Sequence, residues 1–363
     1  MDDSAQSIIS SLHEAPSVRT PAETVPAPPT EPTPLTVVSQ TAPPVEPAAR
    51  RDERPPSDDS GVAAKRPSRP TDPMIVFAYE CLRREFQDLV DRKPAEPAAP
   101  TADDVHRMRI AMRRLRVALR MFRRMLPRAA KDFRKDLRAF ARALGEVRDV
   151  DVHAENFRAY AQTIPAEGLA ELGGYELHLR RERAEARIRM SEQFGDDQYD
   201  ELLKDFAAFL DNAPSAGAER RWRSFKVSDG VDKYLKKSLK RVLKLGRKVG
   251  AEAHAKDLHR LRIRAKRFRY ELEFFAYAYK SLDKAAAEAK ALQDLLGAHQ
   301  DACTAESRLA DYARSLRKHG GELPAALARL ADSEHQRARD VRQSFPAEWR
   351  RFERSVARGR IAL

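Results

Sequence analysis

His106-Arg107-Met108-Arg109-Ile110-Ala111-Met112-Arg113-Arg114-Leu115-Arg116 opens a run that continues to Leu126 and decides how the chain reads. From Val105 to Leu126 it holds eight arginines and no acidic residue. Wound as a helix at about 100° per residue, its apolar and cationic side chains separate. Met108, Met112, Leu115, Leu119 and Phe122 fall on one narrow arc. His106, Arg109, Arg113, Arg116, Arg120 and Arg123, spaced 3-4-3-4-3, form the adjoining stripe. Burying the arc holds the guanidiniums at the edge of a helix–helix groove, where each can fork two hydrogen bonds onto phosphate oxygens. Charged faces usually mix signs through i,i+4 pairs. This one carries no carboxylate for about six turns, so a phosphate-rich ligand is expected.

A second copy of the stretch starts at His259. With a shift of 153 residues His106 meets His259, Arg109 meets Arg262, Ile110 meets Ile263, Arg113 meets Lys266 and Arg116 meets Arg269. With a shift of 152, Leu144-Gly145 meets Leu296-Gly297 and Asp149 meets Asp301. The period is too long for a solenoid. It predicts two similar helical bundles, each of about four main helices and related by a pseudo-twofold axis. Glu273 stands where Arg120 stands in the first copy, so the two basic sites are not identical.

The remaining chain reads as scaffold. Charged residues make up 34% and apolar ones 42% of 363 residues, a profile that favours an all-α protein. A net charge of +13 predicts attraction to polyanions, whether nucleic acid, anionic membrane or polyphosphate. Residues 1–72 hold 14 of the 23 prolines and read as a disordered Pro/Ala-rich tail. Within it Ser4–Glu14 is a candidate short helix and a docking peptide for a protein partner. A helical domain is expected over 73–350, with a first bundle at 73–211 and a second at 228–350. No strand pattern appears. The basic helix is expected to be capped by Thr101 or Asp103 and stopped by Pro127. The Leu-Gly segments at 144–151 and 296–301 should interrupt their helices, since Gly145 costs about 1 kcal/mol against Ala in a helix. The last helix should reach about Phe345.

Two cysteines, Cys81 and Cys303, supply neither a disulfide framework nor metal-ligand spacing. The longest apolar runs fall far short of a bilayer span, and the acidic start lacks a signal peptide's basic n-region. A soluble, cytoplasmic protein with no membrane partner is expected. His106 and His259 lack companions at ligand spacing and lack an evident nucleophile or orienting partner. They read as hydrogen-bonding or phosphate-contacting groups, so no catalytic residue, metal site or cofactor is expected. Lys135, Arg138, Lys240, Lys244 and Lys290 read as supporting cations, and Asp149 and Asp301 as carboxylates that pair with an arginine or cap the resuming helix.

The motifs His106-x-x-Arg109-Ile110-x-x-Arg113-Arg114-Leu115-Arg116 and His259-x-x-Arg262-Ile263-x-x-Lys266-Arg267-Phe268-Arg269 resemble the CHAD family. Leu-Gly-x-x-Arg-Asp at 144–149 and Leu-Gly-x-x-Gln-Asp at 296–301 fit it as well. The resemblance spans about 74–350. It implies two four-helix bundles around a basic central groove and binding of inorganic polyphosphate, often at polyphosphate granules. Some family members are fused to a CYTH triphosphatase domain, whereas here only the Pro/Ala-rich tail accompanies the helices, so hydrolysis is not expected. By this resemblance His106, Arg109, Arg113, Arg116, His259, Arg262, Lys266 and Arg269 line the anion site, with Arg120 continuing the first stripe. Two other functions stay open on the residues alone: a nucleic-acid binder, or an accessory to metal-dependent hydrolysis of phosphate compounds. Stacking aromatics among the cations would favour the first, and carboxylates converging on the anion the second.

Overall fold

The structure, a computed structural model, describes residues 69–94, 100–195, 197–212, 224–249 and 254–356. The expected helix at Ser4–Glu14 and nearly all of the expected tail lie outside them. The described residues form ten α-helices and no strand. These are α1 (Met74–Asp91), α2 (Ala102–Met121), α3 (Ala129–Ala161), α4 (Ala166–Glu171) and α5 (Gly173–Gly195). Then follow α6 (Gln198–Asp211), α7 (Val227–Gly246), α8 (Ala255–Ala276), a 3-10 turn at Lys280–Leu282, α9 (Asp283–Lys318) and α10 (Ala325–Ser355).

The basic helix α2 starts where its capping chemistry places it. Thr101 Oγ1 accepts from the Asp104 N–H at 3.1 Å, and Asp104 Oδ2 accepts from the Thr101 N–H at 2.9 Å, a reciprocal capping box. Met108, Met112, Leu115, Leu119 and Phe122 are all buried, as the arc requires. Each such side chain contributes about 1.5–3 kcal/mol by leaving water. The helix ends at Met121, short of Pro127: Phe122 still donates to the Ala118 carbonyl, and a turn then closes from Met125 N–H to Phe122 O at 2.8 Å. Met125 and Leu126 stay buried beyond the helix end, which is why the apolar pattern runs on past it.

α2 packs between α1 and α3, and α3 carries α5. The same order recurs further along: α8 packs between α7 and α9, and α9 carries α10. The two basic helices, α2 and α8, touch each other. Phe77 of α1 helps join them, stacked on Phe275 of α8 at 5.6 Å and edge-on to Phe122 at 6.1 Å. One apolar cluster runs through all these helices, and a second gathers Phe157 of α3, Tyr175 and Leu179 of α5, Leu309 of α9 and Leu330 of α10.

Three expected breaks do not occur. α3 passes through Gly145 without interruption, because Leu144 and Val147 beside it are buried and hold the helix together. A Cβ at Gly145 would meet nothing within 4 Å, so that glycine serves no close contact between helices. α9 likewise runs through Leu296-Gly297. Asp149 and Asp301 therefore sit mid-helix and cap nothing. α10 continues past Phe345 and through Pro346 to Ser355. Pro346 forgoes one backbone hydrogen bond, but Phe345, Trp349 and Phe352 bury one continuous face and carry the helix across it. Trp349 lies directly over Gly246 of α7, where a Cβ would come within 2.0 Å of the indole.

Candidate anion-binding site

The α2 stripe emerges between α3 on one side and α8 on the other, and both neighbours present cations to it. Burial lowers the Arg116 pKa, and so do Arg138 and Arg134 of α3. Burial also lowers that of Arg120, as do the surrounding Arg267, Arg134, Arg123 and Arg264. Arg109 is pushed down to about 10, by burial first and then by Arg113, with Asp149 and Tyr270 acting the other way. The Nε atoms of Arg109 and Arg116 are buried and make no hydrogen bond. Such crowding of like charge raises the energy of the empty surface, and a polyanion laid on it would relieve that repulsion.

Two adjoining clefts open along this surface. The smaller, about 180 Å³, lies between α2 and α8 and is lined by Arg113, Arg120, Arg264, Lys266 and Arg267 together with Val117, Met121, Ile263 and Tyr270. The larger, about 510 Å³, shares Arg120, Arg264 and Arg267 with it and extends to Arg123 and Arg124 and to Lys233, Lys237, Arg241 and Lys244 of α7. Glu271 is the one acidic residue lining either cleft. It is buried, and Arg267 Nε holds it at 2.7 Å. Together the clefts make a cationic trough across α2, α8 and α7.

Of the residues singled out from the sequence, Arg113, Arg120, Lys266 and Lys244 line this trough. Arg109, Arg116 and Arg138 lie on its α3 side. His106 and Arg262 are half-buried on α2 and α8. His259 Nδ1 is hydrogen-bonded to Gln300 Oε1 at 2.6 Å, which orients its ring toward α9. Arg269 is 1% exposed, with its guanidinium 3.3 Å from Glu273 Oε1 and 4.7 Å from the Tyr270 ring centroid. Lys290 pairs with Asp294 at 3.0 Å. Asp301 neighbours Glu334 on α10. Lys135 and Lys240 are exposed and line neither cleft.

Glu273 is taken up structurally. It bonds Arg114 and pairs with Arg269, while Arg114 forks onto Glu85 of α1 through Nε at 2.7 Å and Nη2 at 2.9 Å. Tyr277 donates to Glu85 at 2.9 Å and closes the network. Among the described residues, no group of three His, Cys, Asp or Glu side chains is placed to hold a metal ion.

Sequence reasoning did not single out Arg264 and Arg267 as site residues, although Arg267 aligns with Arg114 in the repeated motif, and of the α7 cations that line the larger cleft it named only Lys244. α7 carries lysines on both sides of its buried Val231, Leu235, Ser238 and Val242, and the side lining the cleft holds Lys233, Lys237, Arg241 and Lys244 rather than Lys236 and Lys240. Lys236 instead pairs with Asp232 at 3.0 Å.

Similar proteins agree with this architecture. The crystal structure of the CHAD domain from the plant Ricinus communis superposes with a TM-score of 0.61 at 22% identity, over 79% of this chain and 95% of that one. PptA from Streptomyces chartreusis gives 0.60 at 16% identity, over 77% and 99%. At these identities the likeness is one of fold. The uncharacterized protein MT2285 of Mycobacterium tuberculosis is 26% identical over 267 residues, 72% of this chain and 50% of that protein, so the chain spans about half of that relative's length. No helix among the described residues is long and apolar enough to cross a membrane. The CHAD domain model matches residues 80–310, well over half of the sequence, and the protein belongs to the CHAD domain family.

Proposed function

We propose that this chain binds linear inorganic polyphosphate along the trough, as a non-catalytic module that works at polyphosphate granules. The observation carrying this reading is the lining of the two joined clefts: lysines and arginines from three helices, with one carboxylate that an arginine already neutralises. A flexible chain with a charge on every unit can engage all three helices at once. A small anion can occupy only part of the trough. Arginines supply bidentate contacts to phosphate oxygens, and release of counterions makes the affinity fall steeply with salt.

The surface also suits this ligand better than nucleic acid. Sequence-tolerant nucleic-acid grooves present aromatic faces for base stacking; here the lining tyrosines are Tyr270, fully buried with its ring facing the Arg113 guanidinium at 5.7 Å, and Tyr234, half-buried and packed against Phe275. The test is a competition of labelled long-chain polyphosphate against duplex DNA and RNA at about 150 mM salt. Strong preference for polyphosphate is expected. Equal competition by DNA or RNA would overturn the reading.

A further inference from the structure

Inorganic phosphate makes no use of apolar surface, yet the smaller cleft presents it. Val117 and Met121 of α2 and Ile263 of α8 line the cleft among its cations. The internal repeat supplies a control for Ile263. Its counterpart Ile110 is 9% exposed, whereas Ile263, at the same place in the second motif, is 52% exposed. A lone exposed isoleucine on a convex surface is ordinary. Ile263 stands instead in a concavity, between Arg262 and Arg264, with two further apolar side chains on the facing helix. The cleft is also directional. Its apolar side leads past Arg120, Arg264 and Arg267 into the larger cleft, where nine of the fourteen lining residues are cations.

A ligand matching this layout is flat and weakly polar at one end and polyanionic at the other. We propose that the trough accepts a nucleoside polyphosphate, its base lying on Val117, Met121 and Ile263 and its phosphates running past Arg120 and Arg267 toward α7. Guanidinium planes at the rim suit this end of the ligand, because arginine stacks on bases as well as pairing with phosphate. An acyl chain would need a longer slot than these side chains provide. The inference rests on the anion-binding reading above and adds a specificity that inorganic polyphosphate alone would not need.

Calorimetric titration of the full chain with ATP, inorganic tripolyphosphate and long-chain polyphosphate, at one fixed salt concentration, tests it. Charge alone ranks tripolyphosphate ahead of ATP, because ATP carries less charge. The expected result is the reverse, with ATP about fivefold tighter, from covering half an isoleucine side chain. Ile263→Gln, a substitution on an exposed helix position, should bring the ATP-to-tripolyphosphate ratio down toward one, with circular dichroism confirming intact helices. If long-chain polyphosphate binds but ATP is no tighter than tripolyphosphate, this inference fails while the anion site stands. The same holds if Ile263→Gln leaves the ratio as it was. If neither long-chain polyphosphate nor ATP binds, both readings fall.

Discussion

Replacing Lys237, Arg241 and Lys244 together by glutamine should flatten the salt dependence of polyphosphate binding by a calculable amount. All three are exposed on α7 and line the larger cleft, away from the stripe of Val231, Leu235 and Val242 that holds α7 in the core. Nine lysines and arginines line that cleft. Single-stranded polyanions lose affinity with a log–log salt slope of about −0.7 per neutralised phosphate, so full engagement gives a slope near −6. Between about 50 and 200 mM salt that corresponds to a loss of roughly four orders of magnitude. With three cations removed the slope should fall to about −4 and the loss to roughly 300-fold. Fluorescence titration of end-labelled polyphosphate at four or five salt concentrations measures both slopes directly. If the triple variant keeps the wild-type slope, the ligand does not reach α7 and the trough as drawn is wrong.

Other expectations concern what holds the trough in shape. Arg114→Ala strands Glu85 and exposes Glu273 to an unbalanced interior, and should cost about 3–5 kcal/mol in urea denaturation; a cost below 1 kcal/mol would mean the network is not formed in solution. Gly246→Ala drives a methyl into the Trp349 indole and should destabilise by about 1–3 kcal/mol, whereas Gly145→Ala meets only open space and should stabilise by about 1 kcal/mol. Thermal melts of the two variants should move in opposite directions, and a shared direction would contradict the packing described. Burial, opposed by Arg337 and helped by Glu306 and Asp301, raises the Glu334 carboxyl to about 7. A raised acid favours the folded state at low pH, and that stability is lost as pH climbs from the unfolded value near 4.5 through 7. Glu334→Gln should therefore gain on the wild type by up to about 3 kcal/mol between those limits, followed by chemical denaturation across pH. A constant difference would show that Glu334 titrates normally.

The sequence made the first basic helix almost fully legible, because one residue pattern fixed three things at once. Thr101 and Asp104 set its start, the methionine–leucine arc set its buried side, and the arginine stripe set its cationic side. Legibility failed where one of those signals was missing or doubled. α7 bears cations on both flanks of its core stripe, so composition could not say whether Lys240 or Arg241 faces the trough. Gly145 and Pro346 looked like breaks because local propensity was weighed without the buried neighbours that override it. Arg269 followed the motif yet went inside, drawn by Glu273 one turn on and the Tyr270 ring, contacts that periodicity alone does not reveal. The same carboxylate that made the second motif look different from the first turned out to serve packing with Arg114.

The Arg114 network also bears on how a ligand is received. One guanidinium on α2 bonds a carboxylate of α1 and a carboxylate of α8, so the two helices that line the smaller cleft are tied to each other through it. A braced channel has no jaw to close. The ordering cost of binding then falls on the polymer rather than on the protein, since a limp chain must be straightened to lie along a rigid bed. Partial dissociation at one end leaves the bed intact for re-engagement, and neighbouring segments of one long chain present the same charges to it. On the proposed function, such a surface would let a bound polyphosphate creep lengthwise without letting go, more rail than clamp.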